Sequence, residues 1–260
     1  MPNLFTLTAS QFETFLLIFV RISTMLLIFP AFGAPQIPPQ VRFGLSAVIS
    51  FMIFRLVPMV PMSHGIYGLL IGVVSQIALG MIVGFVASLV FVGIQFAGEL
   101  IDLMIGFAVA NVINPTTQQS ITIIGEFELA LATLLFFITN SHYLLLQGIA
   151  NSFTLVPLPF INLDPSVAGN VVLFLSQAFT IVFRIAAPVA VALFLANIMF
   201  AFMARVAPQM NVLVIGLPIQ IGVGLIMIGI TMPLLGNVAP ELFAHVASEM
   251  NTVMQGLRAH

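Results

Sequence analysis

The sequence predicts an all-α, membrane-associated protein, and three observations predict it. Of 260 residues, 61% are hydrophobic and 5% charged, with a mean hydropathy of +1.22. A soluble domain carries roughly a quarter charged residues, so the outside of this chain must be lipid or other protein. The apolar residues gather in long runs, each suited to a helix. Short proline-rich connectors such as "PAFGAPQIPPQ" and "VPLPFINLDPS" separate the runs, with no soluble domain, tandem repeat or low-complexity tail. Residues 1–260 therefore read as a single polytopic helical domain.

A helix rising about 1.5 Å per residue needs roughly 20 apolar residues to cross a hydrocarbon core about 30 Å thick. The candidate runs are, in order, Phe12–Phe32, Phe43–Val60, Ile66–Phe96, Phe127–Val156, Val171–Arg205 and Val212–Leu235. Most carry an internal interruption. Arg21 lies within the first, and "NSH" (Asn140 to His142) cuts the fourth. Arg184 and Pro188 interrupt the fifth, and Pro218 and Pro233 the sixth. Broken helices at membrane depth persist where protein or water satisfies the freed backbone groups, so these runs read as helices packed on helices. In the third run Gly68, Gly72, Gly80, Gly84 and Ser88 recur every four residues, with Gln76 in the gap. That pattern is either a ridge for close helix approach or the ordinary glycine content of membrane helices.

Composition excludes several functions. With six arginines and no lysine, and a net charge of -2, there is no polybasic patch for nucleic acid. No cysteine means no disulfide and no thiolate chemistry. The N-terminus lacks a basic region and a small-residue cleavage site, so the first run is expected to stay in the mature protein. His64, His142, His245 and His260 have no metal-ligand spacing, and no nucleophile elbow or phosphate loop occurs. The expectation is a non-enzymatic protein without cofactor. Tryptophan is absent and tyrosine occurs only at Tyr67 and Tyr143. Lipid-facing helices are usually anchored by those residues, so neighbouring subunits are expected to cover many apolar faces. Met199 with Met203, and Met250 with Met254, pair at helical spacing and read as core packing.

Charges inside apolar runs cost about 2.5–3.5 kcal/mol each on insertion scales, so they need partners or a wet cavity. Arg21, Glu99, Asp102, Glu126, Glu128, Arg184 and Arg205 are such charges. They mark either a proton or ion path or arginine–carboxylate clamps between helices. Glu99 and Asp102 share a helix face, whereas Glu126 and Glu128 point nearly oppositely, so neither pair is a catalytic dyad. The densest uncharged-polar stretch is "NVINPTTQQS", Asn111 to Ser120. It reads either as a solvent-facing loop or as a segment lining a path.

Two stretches carry more than composition. "AGELIDLMIGFAVANVINP" (Ala97 to Pro115) and "RVAPQMNVLVIGLPIQIGVG" (Arg205 to Gly224) resemble the signature segments of the FliR family, the R subunit of the export gate in flagellar and type III secretion systems. Arg205, Pro208, Gln209, Asn211, Gly216 and Pro218 stand in that family's order and spacing, and "NSHYLLL" resembles a third segment. Asn114 is a departure, since the family often has Asp before the proline.

The resemblance implies about six long, partly broken helices packed as hairpins within a helical hetero-oligomeric gate. It implies P- and Q-type subunits as partners, B- and A-type export proteins beside them, and unfolded flagellar proteins as passengers. The location implied is the bacterial inner membrane at the flagellar basal body. It also implies a plug formed by Phe107, Val109, Asn111, Val112, Ile113, Asn114, Pro115, Thr116, Thr117 and Gln118. Such a plug needs amides and hydroxyls that bond backbone without choosing a charge sign, and apolar residues that close a constriction by dewetting. Arg21, Glu99, Asp102, Arg184, Arg205, Pro208, Gln209, Asn211, Gly216 and Pro218 are then expected to hold the assembly together. The alternatives are the injectisome counterpart of this subunit and a stand-alone secondary transporter with a site at broken helices.

Overall fold

The computed structural model describes residues 9–33, 37–59, 65–107, 122–159, 166–209 and 212–257, and all regular structure among them is helical. The helices are α1 (Ala9–Ile28), α2 (Pro30–Gly33), α3 (Pro39–Phe54), α4 (Gly65–Ile105), α5 (Ile123–Ile138), α6 (Ser141–Leu155), α7 (Ser166–Val206) and α8 (Val212–Gly256). By length and composition, α1, α4, α7 and α8 can each cross a membrane. The α5–α6 pair, bent by 78°, is a fifth candidate span.

The bend falls at Asn140, within the "NSH" interruption. Asn140 takes a left-handed backbone (φ 57°), which asparagine tolerates better than branched residues. Proline did not act as expected. Pro188 lies inside α7, and Pro218, Pro233 and Pro240 lie inside α8. Each removes one backbone hydrogen bond, yet both helices continue through them, with Pro218, Pro233 and Pro240 exposed. The sixth run therefore continues past Leu235 to Gly256, and the third past Phe96 to Ile105.

The chain divides into two compact units. The first comprises Met1–Leu89, Asn140–Leu175 and Ala244–His260; the second comprises Val90–Thr139 and Ser176–Phe243. In the first unit α1 meets α3 through Phe15 on Phe54 and Phe19 on Phe43. Prolines at 38 and 39 start α3, where the missing amide hydrogens would have no helical acceptor. Two buried hydroxyls are answered within their own helices: Thr14 donates to the Ser10 carbonyl and Ser50 to that of Ser46.

The small-residue ridge of α4 is a packing surface. A methyl on Gly80 would lie 2.7 Å from the Arg21 carbonyl oxygen and 2.9 Å from Thr24 Cβ. One on Gly84 would lie 3.0 Å from the Met25 carbonyl oxygen. Leu17 faces Gly72 and Arg21 faces Gln76. Partners advance together along both helices, so α1 and α4 run parallel with their backbones in close approach. In the same unit Met250 packs on Gly148, and Met250 and Met254 are fully buried.

The second unit has a core of Ala97, Ile101 and Ile105 from α4, Ile124 from α5, Val182, Ala186, Val189 and Leu193 from α7, and Ile228 from α8. Spacings of three and four make one apolar stripe on α4 and one on α7. Phe91, Phe136 and Phe243 form a mutually packed aromatic trio with centroids 5.3–5.5 Å apart. Asn197 bonds Gln220, and Phe200 lies beside Gly216. Partners advance in opposite directions, so α7 and α8 form an antiparallel hairpin here.

Candidate functional site

The segment expected to act as a plug begins where α4 ends. Gly106 stops the helix with φ 96°, a conformation suited to glycine. The amides of Gly106 and Phe107 both donate to the Asp102 carbonyl, at 3.1 Å each. The same residue's carboxylate reaches across to α5. Ile124 N–H donates to Asp102 Oδ2 at 3.0 Å and Oδ1 at 3.2 Å, and Gly125 N–H donates to Oδ2 at 3.4 Å. A helix start exposes unpaired amides and a partial positive charge, so a carboxylate there is well placed. Asp102 thus fastens the backbone on both sides of residues 108–121.

Gly98 and Gly125 permit that arrangement. A methyl on Gly98 would lie 2.7 Å from the Gly125 Cα, so α4 and α5 touch backbone to backbone. Glu99 shares this face, with its Cγ 3.0 Å from where a Gly125 methyl would sit. Phe107 is half-buried and packs against the unit's core. Val109, Asn111, Val112, Ile113, Asn114, Pro115, Thr116, Thr117 and Gln118 lie outside the described residues, as does Asn211.

Arg21 is 1% exposed and is clamped, but not by a carboxylate. Its Nε donates to Gln76 Oε1 (2.6 Å), Nη1 to the Ser152 carbonyl (2.9 Å) and Oγ (3.3 Å), and Nη2 to the Val156 carbonyl (2.9 Å). Its guanidinium carbon sits 4.2 Å from the Phe153 ring centroid. Gln76 is held in turn by donating to the Pro159 carbonyl. The expected arginine–carboxylate clamp is thereby corrected at both Arg21 and Asp102. Neutral oxygens answer the buried cation, and backbone amides answer the buried anion. Both are available wherever a helix ends or glycine thins a contact, and neither carries a charge visible in sequence.

The α7 helix ends at Val206, the Ala207 amide donates to the Met203 carbonyl, and Pro208 and Gln209 form a turn. Arg205, Pro208 and Gln209 are exposed, Gly216 is buried against Phe200, and Pro218 is exposed within α8. Met199 and Met203 are 65% and 40% exposed, so this pair is not core in the chain alone. Arg184 and Glu128 line one cavity of the second unit. Glu128 is buried and Glu126 exposed, as their spacing predicts.

Residues 12–246 match the family described as Bacterial export proteins, family 1. The chain belongs to this family. It is 31% identical over 246 residues to the flagellar biosynthetic protein FliR of Bacillus subtilis (strain 168), covering 94% of this chain and 95% of that one. It is 31% identical over 235 residues to FliR of Pectobacterium carotovorum, covering 88% and 87%. FliR of Escherichia coli (strain K12) is 26% identical over 242 residues, covering 92% and 91%. The FliR resemblance is thus borne out over nearly the whole length, and the chain is a flagellar-biosynthesis export protein of this family. Its long apolar helices give it the character of a membrane protein of the flagellar export apparatus.

Proposed function

We propose that this chain is a core subunit of the flagellar type III export gate, forming with P- and Q-type subunits the channel through which unfolded flagellar proteins leave the cell. It would sit in the bacterial inner membrane within the flagellar basal body, beside B- and A-type export proteins, and would act without catalysis of its own. The observation that carries this reading is the outward face of α7 and α8. Only 17% of the most apolar window of each is buried, and Phe183, Phe194, Met199 and Phe202 are 60% or more exposed on α7. A chain of this family with so much apolar flank and no tryptophan fits partner helices as its natural solvent.

Asp102 supports the reading from the other side. A residue that fastens both ends of one polar segment suits a plug, which must return to one place after each passenger. Val109, Val112 and Ile113 would supply the dry constriction, and Asn111, Thr116, Thr117 and Gln118 the neutral polar lining. The test is co-purification of a tagged chain from its native membrane. Recovery with P- and Q-type subunits in a defined ratio is expected. A stable, monodisperse, partner-free monomer or symmetric dimer would overturn the gate and favour a stand-alone transporter.

A further inference from the structure

The second unit holds a cavity of about 400 Å³ bounded by α5, α7 and α8. Its walls are mainly apolar, and Glu128, Arg184 and Glu241 are the charged side chains that line it. Glu128 is buried and its Oε2 is inaccessible, so it offers nothing to an occupant. Arg184 and Glu241 are exposed, and neither has a hydrogen-bond or ion-pair partner among the described residues. A charge without a counter-charge is costly in an apolar span, and Arg184 lies in one.

The two charges also stand apart. Asn197 bonds Gln220 across the antiparallel α7–α8 hairpin, and 13 residues from that pair Arg184 falls level with Pro233. Phe200 beside Gly216 gives the same register to within one residue. Glu241 lies 8 residues beyond Pro233, about 12 Å along α8 at about 1.5 Å per residue.

We propose that this cavity receives a helix of a neighbouring subunit that carries an acidic and a basic side chain about two turns apart. The partner's carboxylate meets the Arg184 guanidinium, and its cation, about eight residues away, meets the Glu241 carboxylate. Charge selects this occupant. A helix apolar throughout would seal both charges from water with nothing to answer them. A lipid phosphate would answer Arg184 alone, and the two ends of one lipid headgroup are too close together to reach both residues. The inference rests on the reading of the α7 and α8 flanks as covered by partner helices, and adds what one of those helices must carry.

The test uses the tagged chain in the assembly it forms in its native membrane. Recovery of neighbouring subunits is measured per amount of chain present in the membrane. Arg184→Gln and Glu241→Gln should each lower that recovery by about tenfold, the low end of what close interfacial charge pairs contribute. Arg184→Glu combined with Glu241→Arg in one chain keeps the net charge. If the two residues served each other, this exchange would preserve their attraction and leave recovery unchanged. Against an unaltered partner it sets like charges together at both ends, so recovery should fall below that of either single variant. Recovery at the unaltered level would overturn the proposal.

A photo-cross-linking side chain at Met232, which lines the cavity, leaves both charges in place. The captured peptide should hold an acid and a base about seven or eight residues apart. Capture of lipid alone, or of a helix without that pair, would overturn the proposal even where the charge variants fail to assemble. An unaltered chain that brings down no subunit sinks the gate reading itself. One that does so equally well with all three variants sinks only this inference.

Discussion

Arg21 and Glu128 are both ionisable and both buried among apolar side chains, yet the chain treats them oppositely. Around Arg21 the first unit supplies two carbonyls, an amide oxygen, a hydroxyl and an aromatic face. Around Glu128 the second unit leaves one oxygen without a donor and a cavity beside it. Burying a charge costs several kcal/mol in either place. A charge whose partners all lie in its own chain is a structural fastener, whereas Glu128 keeps one buried oxygen without a partner. The exposure of the helices agrees, with 67% of the most apolar window of α4 buried against 17% for α7 and α8.

The contrast is most readily broken at Arg21. Arg21→Ala leaves Gln76 and the Ser152 and Val156 carbonyls around a hole, each acceptor left unpaired costing about 1–3 kcal/mol. The expected outcome is loss of the accumulated chain, read by quantitative immunoblot of membranes. Arg21→Lys should fail nearly as badly, because one ammonium cannot reach three residues in a plane. Normal accumulation of the lysine variant would show that charge alone matters there.

The ridge beneath Arg21 gives the next largest effect. Gly80→Ala places a methyl against the Arg21 carbonyl and should cost about 1–3 kcal/mol by forcing α1 and α4 apart. Gly229→Ala, which meets nothing within 4 Å, should stabilise by up to about 1 kcal/mol through helix propensity. Thermal aggregation midpoints that move the same way for both would contradict the ridge.

Asp102→Ala should cost about 1–2 kcal/mol, the usual worth of a lost helix cap. Its signature is local: faster hydrogen exchange at the Ile124 and Gly125 amides, with the Arg21 region unchanged. Uniformly faster exchange would mean that Asp102 supports the whole fold and not the start of α5. The smallest effect belongs to Glu128. In detergent stripped of lipid, Glu128→Leu should be neutral or stabilising by about 1 kcal/mol, since it removes an unpaired buried group. A destabilisation as large as that of Arg21→Ala would erase the distinction between the two sites.

Much of this was legible from the residues. Each of the six apolar runs gave helix, because hydrophobic length dictates it, although the second stops at Phe54, short of a span. Asn140 and Pro208 marked true ends, one by tolerating left-handed backbone and the other beside an exposed turn. Pro188, Pro218 and Pro233 misled, since α7 and α8 each continue through them. The glycine ridge was visible as a period of four, but its partner α1 was not, because periodicity names a face and never what it meets. The site was legible as a list of charges and illegible as pairs. Arg21 is answered by Gln76 and by carbonyls, and every residue has a carbonyl. Gly98 and Gly125 lie 27 residues apart, with nothing in their local sequence to announce that they touch.

The Arg21 clamp also sets a timetable. Its acceptors at Ser152 and Val156 lie 131 and 135 residues further along the chain. At about 5–20 residues per second of synthesis, the guanidinium waits on the order of ten seconds before they exist. Throughout that interval α1 is an apolar helix with an arginine at its middle, which a bilayer accepts only at a penalty. The first helix made is therefore among the last to be secured. Biogenesis must keep α1 solvated or escorted until α6 emerges.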